Sequence, residues 1–154
     1  MEQRLDAGDA SPAAMKAMLG VENYIRGCGL EPGLIDLVKM RASQINGCAF
    51  CLDMHSHDAR RRGETEQRLY LLEAWREVGL YSPRERAALG WTEALTRVAE
   101  TRAPDEDYAE LRRHFSEKEV ADLTTLVGLI NLWTRLCVGL RVQPPVRRAE
   151  AEAA

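Results

Sequence analysis

Helix punctuation recurs along this chain, and almost nothing in it reads as a strand. Ser82-Pro83-Arg84-Glu85 and Ser116-Glu117-Lys118-Glu119 each place a hydroxyl where it accepts from an amide three residues on. A glutamate in each stands ready to return the bond, the reciprocal capping box that opens a helix. Proline at the first helical position strengthens the first of them. Ser11-Pro12 opens another helix, with Met15, Met18, Leu19 and Tyr24 following at helical spacing. "RGCGLEPG" (26–33) breaks it. A second stripe, Leu34, Leu37, Val38, Arg41 and Ile45, carries a helix to about Ile45. Asn46-Gly47 interrupts there, and Asn46 is placed to cap a new helix from near Cys48 to about Arg62, ended by Gly63.

The remaining segments follow the same logic. Leu69, Leu72, Trp75 and Val78 give residues 65–78 an amphipathic pattern, and the Ser82 helix is expected to reach about Thr101. Asp105 is the expected cap of a short helix through Phe115, and the Ser116 helix should run to about Leu140, before Pro144-Pro145. The expectation is an all-α single domain of six or seven helices over residues 12–142. Residues 1–11 form an N-terminal extension and residues 143–154 a C-terminal tail.

The 154 residues suffice for one domain with a sizeable core, and 45% hydrophobic with 29% charged residues is a globular balance. Net charge is −3 with both signs interspersed, which argues against nucleic-acid binding, since phosphate recognition wants a concentrated basic face. The polar opening Met1–Asp9 shows no leader pattern, so a cytoplasmic location is expected. Leu123–Leu140 is the longest apolar stretch, but Asn131 and Arg135 within it favour a buried helix over a membrane span.

Chemistry concentrates in "INGCAFCLDMHSH" (45–57). On a helix, Cys48, Cys51 and His55 fall on one face within roughly 60°, while His57 turns away. A thiol reacts as its thiolate, and a free cysteine near pKa ~8.5 is mostly protonated at neutral pH. A helix N-terminus favours the anion, an imidazole one turn on can take the proton, and a second thiol can close a disulfide on an oxidised first one. Cys48, Cys51, His55 and His57 could be counted as zinc ligands, yet ten consecutive residues do not readily surround an ion tetrahedrally, so no metal is expected. A thioredoxin-type site needs a preceding strand, and none is evident. Inert burial as a small hydrophobe remains open for this pair and is the preferred reading for Cys28 and Cys137. His57 and His114 read as surface residues, and Trp75, Trp91 and Trp133 as core or subunit interface.

"LIDLVKMRASQINGCAFCLDMHSHDARRRGETEQRLYLL", with "YSPRERAALGWTEALT" (81–96) and "LTTLVGLINLWTRL" (123–136), closely resembles the alkylhydroperoxidase AhpD-like branch of the carboxymuconolactone decarboxylase superfamily. The resemblance spans roughly residues 12–140 and rests on a carboxylate, CxxC twelve residues later, and histidine four residues after the second cysteine. It implies an AhpD-like helical bundle forming a homo-oligomer, a trimer or hexamer. It further implies a thiol-dependent peroxidase that takes a hydroperoxide, is regenerated by an external dithiol or protein reductant, and needs no cofactor. Carried over by position, Cys51 is the peroxide-attacking thiol, Cys48 its resolving partner, and His55 a proton relay. The relay's acid falls on Asp36, where the family usually has glutamate; the shorter side chain puts peroxidase turnover in more doubt than thiol redox activity. Without the resemblance, Asp36 reads as an exposed charge near a helix start, with Glu31 as a fallback carboxylate. The superfamily's decarboxylases do not use CxxC, so the pair argues against that chemistry. A disulfide reductase or relay with weak peroxidase activity, and a non-catalytic redox-sensing oligomer, are the alternatives.

Overall fold

The structure, a computed structural model, describes residues 1–146. Among them it is helical, with no strand: α1 (Ala7–Ala10), α2 (Pro12–Gly27), α3 (Pro32–Asn46), α4 (Ala49–Arg61), α5 (Glu66–Tyr70), a 3-10 segment (Leu72–Glu77), α6 (Pro83–Thr96), α7 (Val98–Thr101), α8 (Asp105–Arg112) and α9 (Glu117–Leu140). The all-α expectation holds. The larger number of segments comes from the one-turn α1 and from breaks at Leu71 and Arg97, which no glycine or proline marks. The C-terminal tail expected over residues 143–154 lies outside the described residues from 147 on. Within the expected N-terminal extension, Arg4 is tied to the end of α9, its amide donating to the Leu140 carbonyl (2.9 Å) and its guanidinium to that of Gly139 (3.0 Å).

Both capping boxes form. Ser82 Oγ accepts from the Glu85 amide while Glu85 returns a bond to the Ser82 amide, and Ser116 and Glu119 do the same for α9. Three boundaries differ from expectation. Asn46 ends α3 instead of capping α4; its amide group donates to Asn131 Oδ1 and Thr134 Oγ1, both at 3.0 Å. Pro104 holds the cap position of α8, so Asp105, Glu106 and Asp107 instead occupy the first turn, where the positive end of the helix dipole favours them. The Ser82 helix stops at Thr96 and resumes as the one-turn α7, with the Thr101 hydroxyl donating to the Ala94 carbonyl.

Helix α3 is the centre of the bundle. Every residue from Leu34 to Ser43 is buried, on all sides of the helix, because α4, α6 and α9 each pack along it. Its Ile35 and Val38 join a cluster with Ile25, Trp91, Leu123, Leu126 and Val127. Leu37 and Met40 face a second cluster with Leu72, Trp75, Tyr81 and Leu89. A helix buried all round ought to be apolar, yet α3 carries Asp36, Lys39 and Arg41, all less than 10% exposed. Each is paired to a different segment: Lys39 to Glu22 of α2, Asp36 to Arg62 at the end of α4, and Arg41 to Glu93 of α6.

Glu93 is the most heavily engaged of these partners. Burial alone would raise its pKa, but bonds from Trp75 Nε1 (2.9 Å), Arg76 and Arg41 Nε (2.8 Å) outweigh that and hold it below the usual carboxylate range. Removing it leaves the Arg41 charge buried without a counter-ion. Glu93→Ala should therefore cost about 3–5 kcal/mol in urea unfolding, against about 1 kcal/mol for removing the α9 cap in Ser116→Ala. Equal losses in the two variants would show that Glu93 does not organise the bundle.

Candidate redox site

Helix α3 ends on Gly47, whose left-handed backbone (φ 61°) turns the chain within one residue so that Cys48 becomes the N-cap of α4. Cys48 thus stands just outside the helix rather than on its face, and its Sγ accepts the Cys51 amide at 3.3 Å. Cys51 is the third residue of α4. With His55 and Ala59 it forms the helix's buried stripe, one turn apart at each step. Cys48 and Cys51 are joined as a disulfide, their Cα atoms 5.3 Å apart, and each is 1% exposed. The two sulfurs meet, and Cys51 and His55 share the buried stripe of α4, but Cys48 stands at the cap, off the face on which all three were expected.

Cys51 and His55 open onto a cavity of about 440 Å³ between α2, α3, α4 and α9. Its apolar side is Leu19, Ile35, Phe50, Met54 and Trp133, and its polar side is Glu22, Lys39, Asp36, Asp58 and Arg62. Phe50 and Met54 are among the residues that line this cavity, and Met54 is exposed.

His55 is 6% exposed, and burial lowers its pKa to about 4, with Lys39 and Arg62 pushing the same way and Glu22 and Asp58 opposing. In the disulfide state the ring is therefore neutral at pH 7. Asp36 is buried, one turn beyond the start of α3, so its reading as an exposed first-turn charge does not hold. Burial raises its pKa against the pull of Arg62, whose Nη1 reaches both carboxylate oxygens at 2.8 and 2.9 Å. The carboxylate expected to steer His55 is thus held by a guanidinium. Glu31 lies on the surface in a bond to Arg84.

Three residues of this site escaped the sequence reading. Glu22 lies on the buried stripe of α2 between Met18 and Ile25, and an acid in that register was the available signal. Lys39, its partner, sits between Val38 and Met40 on the all-buried α3. The third is Cys137 of α9. The four-ligand zinc set is not what the fold gathers: among the described residues, the group of three potential ligand atoms within 4.8 Å of one another is the sulfurs of Cys48, Cys51 and Cys137, and His57 is exposed. Cys137 and Cys28 are half-buried instead of sealed in the core. His57 is on the surface as expected, His114 is half-buried beside Glu110, and Trp75 and Trp91 are core residues, with Trp133 half-buried.

An all-helical bundle that presents the second cysteine of a CxxC disulfide and a buried imidazole to one cavity is AhpD-like. The chain belongs to the carboxymuconolactone decarboxylase family, whose model matches residues 12–94. It is 43% identical over 140 residues to the uncharacterized protein YdfG of Bacillus subtilis (strain 168), covering 91% of this chain and 95% of that one. A crystal structure of ATU0492 from Agrobacterium tumefaciens superposes with a TM-score of 0.92 at 48% identity, covering 95% of this chain and all of that one. ATU0492 is described as of unknown function and carries the provisional name antioxidant defence protein AhpD. An alkylhydroperoxidase AhpD core structure from Ralstonia eutropha JMP134 shares the fold at 18% identity, TM-score 0.79, over 90% of this chain and 74% of that one.

The low pKa of His55 has a consequence for stability. Unfolded, this histidine takes up a proton near its ordinary pKa of 6.5; folded, it resists until about 4. The unfolded state binds more protons in that window, so stability falls as pH drops from 6.5 towards 4, by up to about 3 kcal/mol. In His55→Gln that segment of the pH–stability curve should flatten when followed by urea unfolding. An unchanged slope would mean that His55 does not titrate as a buried neutral ring.

Proposed function

We propose that this protein is a thiol-dependent peroxidase in which Cys51 attacks a hydroperoxide and Cys48 resolves the product. The observation that carries the reading is the Cys48–Cys51 pair at the N-terminus of α4, with Cys51 and His55 lining one partly apolar cavity. Unpaired amides of a helix's first turn favour thiolate over thiol. Cys51 thiolate displaces alkoxide or hydroxide from the O–O bond and becomes a sulfenic acid. Cys48 then condenses with it, a water leaves and the disulfide remains. An external dithiol returns both sulfurs to thiols.

His55 serves as the proton carrier: it takes the Cys51 proton and delivers it to the departing oxygen. Its ring is neutral with the disulfide closed, and a thiolate one turn away favours the charged ring, so the proton is held only while there is an anion to match it. Asp36 acts at one remove, by fixing Arg62 at the cavity wall. The apolar lining of Leu19, Ile35, Phe50 and Trp133 favours an organic hydroperoxide over hydrogen peroxide.

A second reading, a disulfide reductase or relay with weak peroxidase activity, is favoured by one observation: Asp36 is engaged by Arg62. Self-association as a trimer or hexamer belongs to the main proposal. It is supported by the exposed Leu132 and Val138 of α9, a helix apolar enough to cross a membrane by length and composition yet only 44% buried over its most apolar window.

Thiol counting against one equivalent of an alkyl hydroperoxide tests the mechanism. Two thiols should disappear together in the wild type, and Cys51→Ser should lose peroxidase turnover by about 100-fold or more, the scale of losing a reacting group. Retained turnover in Cys51→Ser, or a faster rate with a protein disulfide than with peroxide, would replace this reading by the relay.

A further inference from the structure

Cys137 comes from the far end of the chain, on α9, yet its sulfur lies within 4.8 Å of both sulfurs of the Cys48–Cys51 disulfide. It is a free thiol and it lines the same cavity as Cys51. Cys48 does not line that cavity; it sits behind Cys51 with its sulfur turned to the Cys51 amide. Burial separates the three as well. Cys48 and Cys51 are each 1% exposed, whereas Cys137 as a residue is half-buried.

We propose that Cys137 is a third redox thiol of this site, taking the place of Cys48 as the disulfide partner of Cys51. The inference rests on the reading of Cys51 as the redox-active sulfur. The step is a thiol–disulfide exchange with no net oxidation. Cys137 loses its proton and attacks Cys51 Sγ, the Cys51–Cys48 bond breaks, and its electron pair leaves on Cys48, which takes up the proton. Attack at Cys51 is the favoured direction for two reasons. Cys51 is the sulfur that faces the cavity beside Cys137, and Cys48 is the better leaving group because its anion keeps the Cys51 amide as donor at the helix N-terminus.

The exchange replaces a bond with one cavity-lining cysteine by a bond with two, Cys51 and Cys137. A reductant entering the cavity then meets the bond from either of two lining residues rather than from Cys51 alone. Burial holds the Cys137 thiol above its ordinary pKa, so the attack draws on a small thiolate fraction and is slowed accordingly.

Diamide, which oxidises neighbouring thiols without peroxide, separates this inference from the peroxidase reading. Reduced Cys48→Ser treated with diamide should lose two thiols per chain and yield a Cys51–Cys137 peptide on mass mapping. The double variant Cys48→Ser/Cys137→Ser should lose none within the chain. In the wild type, the same Cys51–Cys137 peptide should appear as a minor product after acid quenching. Failure of peroxide to oxidise the wild type, with this peptide present after diamide, would remove the peroxidase reading and leave the inference standing. The inference is overturned if Cys48→Ser keeps Cys51 and Cys137 open to alkylation after diamide, or pairs only between chains.

Discussion

Everything in this fold is arranged around a helix that is buried on all sides and nevertheless charged. Asp36, Lys39 and Arg41 of α3 lie within the interior, and each finds its counter-ion on a different segment, at Arg62, Glu22 and Glu93. Taking such charges out of water is costly, and pairing largely offsets the cost without turning it into a large gain. What the pairs add is specificity. A bundle that packed α2, α4 or α6 in another register would strand a charge in hydrocarbon, so the wrong arrangements are penalised more than the right one is rewarded. Two of the three pairs, those of Asp36 and Lys39, also form the polar wall of the cavity. The same interactions that fix the helices therefore fix the surroundings of the imidazole.

The redox pair follows from how α3 ends. A single left-handed glycine at 47 lets α4 begin at once, which leaves Cys48 at the cap and Cys51 in the first turn. Backbone amides thus supply the electrostatic help for a thiolate, and Cys48 Sγ takes one of them directly. His55 is sealed against the same stripe and is kept neutral by burial and by the neighbouring Lys39. On the proposed mechanism the imidazole and the sulfurs are linked: an anion on Cys51 would make a charged ring tolerable, and the closed disulfide removes that reason.

The sequence was most legible where a signal is local. Ser82 and Ser116 cap the helices their boxes announce, and Cys51 and His55 share a face because a helix repeats every 3.6 residues. It was least legible where packing between distant segments decides. Asn46 reads as a cap, but its side chain is drawn to Asn131 and Thr134 of α9, which no local pattern foretells. Asp36 reads as half of a proton relay, and Arg62, 26 residues away, claims its carboxylate. Glu22 on an apolar stripe was visible as an anomaly, though its meaning needs Lys39 beside it. Cys137 carried no signal at all, since an isolated cysteine in an apolar helix looks the same whether or not other sulfurs lie next to it.

The pKa of His55 followed by NMR in the disulfide and dithiol forms of one preparation tests the linkage of ring and sulfur most directly. A value near 4 is expected with the disulfide closed, and a distinctly higher one, moving in step with Cys51, once both sulfurs are reduced. The same value in both forms, or an ordinary imidazole titration with the disulfide intact, would contradict it.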